Sequence, residues 1–435
     1  MVAPVPETVH DRLAKLGVHV PEVLLPAPDV DYQTFAVIAC DQFTSQAEYW
    51  KDVAAIAGDS PSALHCVLPE VYLDEPDVAE RIDAVQKTAA SYVAEGILKP
   101  TGHGFVVTDR TLPDGSIRQG LVLAIDLEEY DFSPGATSLV RATEQTILDR
   151  LPPRIRIREG AAIELPHVMI MIDDVDNLVF GYIDSVKKEL TPLYDTPLML
   201  GGGRIKGRFL DSAGHLEELA ARLERLISPE RLRARYHTDV PLLFPVGDGN
   251  HSLAAARTYW LHLKNAGASV EHPARYALVE IVNLYGQGMS FHPIHRLVRN
   301  VTEADMKQAL EMRGFTVHSS PSSTPPPGAV RLHTSRGTDL VVPGDRVALP
   351  VASVDAALEQ LSGHPGTLRT DYVHDLDSIA QWISEDAMVL EMPAINPDEI
   401  IPTVVRDGVL PRKAFSIGTA RDKRYYLEAR KIRQN

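Results

Sequence analysis

Several near-continuous apolar runs in this chain are of strand length and stop at polar or glycine-containing loops: Phe35-Ala36-Val37-Ile38-Ala39-Cys40, Leu242 to Val246, and Tyr276 to Leu284. Stretches with helical spacing separate them. Val78, Ile82, Val85, Ala89 and Val93 recur at that spacing between Pro76 and Gly96, with proline at the start and glycine past the end. Leu216 to Ile227 and Leu253 to Lys264 read the same way. The pattern predicts an α/β protein of mixed (α+β) character.

Shorter segments refine this. The run Phe35 to Cys40 ends at Asp41, a polar position where ligands are often met, and Gln42 to Trp50 predicts the start of a helix. Thr44 or Ser45 would cap it, with Glu48 completing a capping box. Gly104 to Asp109 and Arg118 to Asp126 flank Pro113-Asp114-Gly115, which predicts a β-hairpin. His167 to Ile172 and Leu178 to Ile183 predict a second strand pair. Gly286 and Gly288 are expected to turn Tyr276 to Leu284 back into an antiparallel strand around Phe291 to Val298, because the connection is too short for a parallel crossover. A chain of 435 residues exceeds one core. The expected organisation is an N-terminal α/β region over 1–135 and a core over 136–318 that holds the Asp248 loop. A Pro/Ser-rich linker or loop follows over 319–329, then a C-terminal α/β region over 330–435 that packs back on the core.

Charge and cysteine content narrow the function. The net charge of −16 repels a phosphate polyanion, so no nucleic-acid partner is expected. A basic C-terminal stretch (Arg412, Lys413, Arg421, Lys423, Arg424, Arg430, Lys431 and Arg433) runs against that balance and reads as a solvated face, with a phosphate-facing patch as the alternative. Cys40 and Cys66 sit in apolar surroundings and read as buried free thiols in a reducing compartment. No segment reaches the roughly 18 uninterrupted apolar residues of a membrane span, and Met1 to Val20 lacks an export signal. A cytoplasmic protein with no membrane partner is expected.

Three constellations could carry chemistry. In Asp248-Gly249-Asn250-His251-Ser252 a strand meets a helix through a short polar loop, which places backbone N–H groups and a positive dipole end at one point. Such a point suits an anion. Gly249 permits close backbone approach, Asn250 or Ser252 can cap the helix, and Asp248 offers a carboxylate to a metal or a proton. The same residues also read as an ordinary capped helix, and neither the Walker nor the dinucleotide glycine spacing is present. Arg141-Ala142-Thr143-Glu144-Gln145-Thr146, with Arg150, Arg154, Arg156 and Arg158 behind it, offers arginine forks for phosphate oxygens and Glu144 as a proton acceptor. An Arg-rich helix surface is the plainer alternative. In Phe291-His292-Pro293-Ile294-His295-Arg296 the two histidines lack the companions of a zinc set, and His295 and Arg296 read as contacts to an anion. Gly201 to Gly207 is a flexible basic loop that could close over phosphates.

Taken together, Arg141 to Thr146, the Asp248 loop with its helix, Pro293-Ile294-His295-Arg296 and Gly408-Val409-Leu410-Pro411-Arg412-Lys413 resemble domain-of-unknown-function family 1015. The resemblance implies a ParB-like nucleotide/phosphate-binding core with additional mixed-sheet elements, a fold shared by partition proteins and by free-serine kinases that use ADP or pyrophosphate. By that resemblance Glu144 matches the kinase's general base and Asp248 to His251 its phosphate loop. The chain departs from the family where Thr143 replaces a usual His, Ser252 replaces a frequent Arg, and Ala414-Phe415 replaces Ser-Thr. Arg257 or Arg296 would then supply the missing charge.

The expected activity is phosphoryl transfer to the hydroxyl of a small amino acid, L-serine in the first instance, from pyrophosphate, ADP or ATP. Glu144 and Asp248 would be catalytic. Arg141, Gly249, Asn250, His251, Ser252, His295, Arg296 and Lys413 would hold phosphate or substrate, and Asp248 would hold Mg²⁺. A non-catalytic nucleotide-binding switch and a small-molecule phosphatase are the alternatives. The partner is a small molecule, and homo-oligomerisation stays open.

Overall fold

The computed structural model describes residues 7–319, 325–345, 347, 349–362, 368–373, 376 and 379–433. They form two compact units, Met1–Met289 with Gly418–Asn435, and Ser290–Ile417. The Pro/Ser-rich stretch therefore falls within the span of the second unit, and its residues 320–324 lie outside the described ones.

The first unit is built on a ten-stranded sheet among the described residues. Its order is Thr191–Pro197, Arg204–Leu210, Phe105–Thr111, Ile117–Asp126, Tyr276–Asn283, Met169–Ile172, Phe244–Asp248, Val140–Ala142, Tyr130–Asp131, with Val18–His19 paired beside Ile117–Asp126. Three of these strands recur below: β1 (Val140–Ala142), β2 (Met169–Ile172) and β3 (Phe244–Asp248). Two helices recur with them, α1 (Leu151–Glu159) and α2 (Asn250–Asn265), which pack against each other. The sheet is apolar on both faces because it is covered on both. Along Ile117–Asp126, Leu121, Leu123 and Ile125 enter one buried cluster while Val122 and Ala124 enter the other, the two-residue alternation of a strand.

An ionic group sits inside the second of these layers. Glu280 accepts from the Thr108 hydroxyl at 2.7 Å and lies 3.1 Å from Arg424. Arg424 also pairs with Glu428, whose carboxylate in turn accepts from the Tyr194 hydroxyl. Gly120 is required beside this group, since a Cβ there would sit 2.1 Å from Glu280 Oε1. Part of the C-terminal basic stretch is thus not solvated: Arg421 and Arg433 are exposed, but Lys423, Arg424 and Arg430 are buried, and Arg430 pairs with Glu164 at 2.6 Å. Their charges look inward because carboxylates in the sheet layer need cations.

Several local expectations change. Leu178–Val186 is a helix, not a strand, because the buried Asp174 carboxylate accepts from the N–H groups of Leu178, Val179 and Phe180 and starts one. Ala36 to Ala39 are buried and extended, with one bridge from Ile38 to Tyr425. The helix after them runs Ala47–Ala57 with Gln46 at its cap, so the Ser45–Glu48 capping box does not form. Phe291–Pro293 and His295–Arg299 do not fold back on Tyr276–Asn283; they pair with Phe415–Ile417, Arg369–Val373 and Ala387–Glu391 in the second unit. That unit carries a six-stranded sheet among its described residues. The expected helices and the hairpin about Pro113-Asp114-Gly115 are present, the latter as Phe105–Thr111 against Ile117–Asp126. Among the described residues no helix is long and apolar enough to cross a membrane.

Candidate functional site

β3 ends at Asp248 and α2 begins at Asn250, so one residue must reverse the chain. That residue is Gly249, with φ +81° and so little room that a Cβ would lie 3.0 Å from the Val168 side chain and 3.1 Å from Val168 Cα. The tight turn leaves the first N–H groups of the 16-residue α2 facing the end of the sheet. Asn250 is buried, and its amide oxygen finds no partner among the described residues.

Glu144 follows β1 by two residues and Asp248 ends β3, and the two strands are parallel neighbours. The register pairs Val140 with Phe244, Arg141 with Pro245 and Ala142 with Val246. Beyond it the Thr143 hydroxyl donates to the Val246 carbonyl at 2.6 Å, which extends the link between the two strands past Ala142. His251 closes the other side, its Nε2 accepting the Ile147 N–H at 3.2 Å. The segment after Glu144 is thereby tied to the first turn of α2. Thr143 acts as the tie between the strands.

Lys423 approaches Asp248 from the C-terminal segment, Nζ to Oδ2 at 3.0 Å. Next to it, His167 bridges the Ser252 hydroxyl at 2.9 Å and the Tyr426 hydroxyl at 2.9 Å, and Tyr426 accepts from the Cys40 N–H at 3.0 Å. Glu70 pairs with Arg154 of α1. Burial pushes the Glu70 carboxyl up from its ordinary pKa, Arg154 opposes this and the charge of Asp41 adds to it. Sequence reasoning had singled out Asp41 and Arg154 but missed Glu70, His167, Tyr426 and the pairing role of Lys423. None of these four stands in a recognisable motif.

Other side chains expected as phosphate contacts have protein partners in the structure. The Arg141 guanidinium is buried and donates to the carbonyls of Ser138 (2.8 Å) and Pro241 (2.5 Å); burial lowers its pKa. It holds the loops flanking β1 and β3 together. In the second unit Arg296 is fully buried, pairs with Asp355 at 2.9 Å and donates to the carbonyls of Ile294, Arg412 and Lys413. Lys413 thus takes part through its backbone, at a φ of +57°. His295 is buried and its Nδ1 accepts the Met392 N–H at 2.9 Å, while desolvation lowers its pKa. Arg257 lies 3.5 Å from Asp131. The glycine run forms the turn between Thr191–Pro197 and Arg204–Leu210, where a Cβ on Gly202 would strike the Tyr425 hydroxyl. These groups serve the packing.

The family described as "Protein of unknown function (DUF1015)" matches residues 24–357, most of the chain. The chain belongs to this family. No curated protein is matched by sequence. Among solved structures, the family member described here is similar to a conserved hypothetical protein from Pyrococcus furiosus at 13% identity and TM-score 0.35, covering 72% of this chain and 95% of that one. A free serine kinase in complex with AMP is similar at 13% identity and TM-score 0.37, covering 72% and 91%. SbnI with a C-terminal truncation, from Staphylococcus aureus, is similar at 10% identity and TM-score 0.34, covering 68% and 82%.

Proposed function

We propose that this protein transfers a phosphoryl group from pyrophosphate or a nucleoside di- or triphosphate to the hydroxyl of a small amino acid, L-serine first among candidates, on a ParB-like core. One observation supports the reading most: the strand leading to Glu144 pairs in parallel with the strand leading to Asp248, with Thr143 bonded to Val246 and the segment after Glu144 bonded to His251 of α2. Phosphoryl transfer asks little of a protein beyond positioning, charge neutralisation and a proton acceptor. Glu144 takes the acceptor's hydroxyl proton as its oxygen bonds to the terminal phosphorus. The bridging P–O bond breaks, and phosphate or the shortened nucleotide leaves. The α2 N–H groups, Asn250, His251 and Lys423 meet the negative oxygens.

Among the described residues no three His, Cys, Asp or Glu side chains are placed to hold a metal ion. Mg²⁺ would be carried largely by the donor phosphates, with Asp248 as its protein ligand. When bound, the ion neutralises charge on those phosphates.

The test is incubation of the full chain with Mg²⁺, L-serine and, separately, pyrophosphate, ADP and ATP, with mass spectrometry for O-phosphoserine. Product with one donor is the expected result. Stabilisation by a nucleotide with no product from any donor would replace this reading with that of a binding switch.

A further inference from the structure

The hydrogen bonds around His167 run in one direction. Tyr426 is buried, and burial with nearby negative charge holds its phenol well above the ordinary pKa, so it keeps its proton. Its oxygen accepts from the Cys40 N–H at 3.0 Å. Its own proton can go to Cys40 Sγ or to His167 Nδ1, 2.9 Å away, and an imidazole nitrogen is much the stronger acceptor. With Nδ1 accepting, the ring proton of the histidine is on Nε2, which faces Ser252 Oγ at 2.9 Å. Ser252 then accepts from His167, and its hydroxyl proton is left to donate at the mouth of α2.

The arrangement is held from several sides. Arg424 donates to the Pro166 carbonyl at 2.9 Å, immediately before His167, and Val168 immediately after it presses against Gly249. The His167 and Tyr426 rings meet edge to face at 5.8 Å between centroids. In the same first turn of α2 the buried Asn250 amide oxygen has no partner among the described residues; it is an acceptor, suited to an N–H or O–H of a ligand rather than to a phosphate oxygen.

We propose that Tyr426 and His167 are positioning residues that fix Ser252 Oγ as a hydrogen-bond donor to a phosphate oxygen at the N-terminus of α2. The inference rests on the phosphate-site reading above. It assigns to Ser252 a neutral donor whose direction is set by the chain behind it. A neutral donor discriminates by geometry where an arginine would also add charge.

The experiment is a double-mutant cycle on pyrophosphate binding, measured by calorimetry on the full chain, with histidine side-chain ¹⁵N NMR as a second readout. Ser252→Ala is expected to weaken pyrophosphate about tenfold, the size of one hydrogen bond to a charged group, and Ser252→Thr to restore most of it. Tyr426→Phe is expected to weaken binding in the native background but not in the Ser252→Ala background, because it acts only through that hydroxyl. The spectrum should show His167 with an unprotonated Nδ1 and a protonated Nε2, whether or not any ligand is present. Unchanged binding in Ser252→Ala, additive effects in the cycle, or the opposite tautomer would each overturn the proposal. Failure of the native protein to bind pyrophosphate or ADP would instead remove the phosphate-site reading on which it stands.

Discussion

Lys423 Nζ sits 3.0 Å from Asp248 Oδ2, joining the C-terminal segment to the loop between β3 and α2 across 175 residues of sequence. The lysine is 6% exposed and the aspartate about a quarter exposed, so the cation depends on its partner more than the anion does. Removing the carboxylate leaves a desolvated charge. Asp248→Asn is therefore expected to abolish serine phosphorylation and also to destabilise the first unit by about 1–2 kcal/mol, a value discounted for the exposure of the aspartate. Urea titration of the variant against the native chain measures the second effect separately from the first.

Glu144→Gln keeps the shape of the side chain and removes its capacity to take a proton. Turnover is expected to fall by about 10² to 10⁴, the usual contribution of a general base, while pyrophosphate binding changes by less than about threefold. Single-turnover kinetics beside calorimetry separate the two. Full activity in this variant would remove Glu144 from the mechanism.

Two glycines should respond to alanine with opposite signs. Gly249 has φ +81° and no room beside Val168, so Gly249→Ala is expected to cost about 1–3 kcal/mol and to weaken donor binding by displacing the start of α2. Gly214 lies in the helix Ala213–Leu226 with open space where a Cβ would go. Gly214→Ala should stabilise by about 0.4–1 kcal/mol through the unfolded chain, with activity unchanged. Urea midpoints of both variants make the comparison.

The pKa of His19 is lowered from 6.5 to about 3, chiefly by burial and then by the charge of Arg430; its ring stacks on Tyr276 at 3.9 Å. A depressed folded-state pKa means that the unfolded chain takes up the proton first. The contribution of His19 is fully present above pH 6.5 and is lost as the pH falls toward about 3. The loss is at most about 1.4 kcal/mol per pH unit. His19→Phe retains a stacking ring without the titration, so its stability should fall less steeply between pH 6.5 and 4. Parallel slopes for the two proteins would exclude His19 as the source.

Arg424 stands between two buried carboxylates, Glu280 and Glu428. Arg424→Met should destabilise the first unit by about 3–5 kcal/mol, since it strands both charges without water. Replacing all three with apolar residues of matching volume should recover much of that loss, and a thermal or urea series over the single and triple variants tests it.

Local sequence determined the elements whose cause is local. The apolar run at Tyr276, the glycine that turns β3 into α2, and the proline and glycine bracketing Val78–Ala94 are legible because strand alternation, a positive φ and helix termini each leave a mark within a few residues. Family resemblance alone suggested that Glu144 works with the Asp248 loop; in the structure the strands that precede the two residues are parallel neighbours. The tertiary structure alone decided what the charges do. Arg141 and Arg296 read in sequence as phosphate contacts and Arg424 as part of a solvated basic stretch, and each is buried against carbonyls or carboxylates. A charge out of water must be paired wherever it lies, and its partner can come from any distance along the chain. For the same reason His167 could not be read as part of the site: its partners, Ser252 and Tyr426, lie 85 and 259 residues away, and only the folded sheet brings them to it.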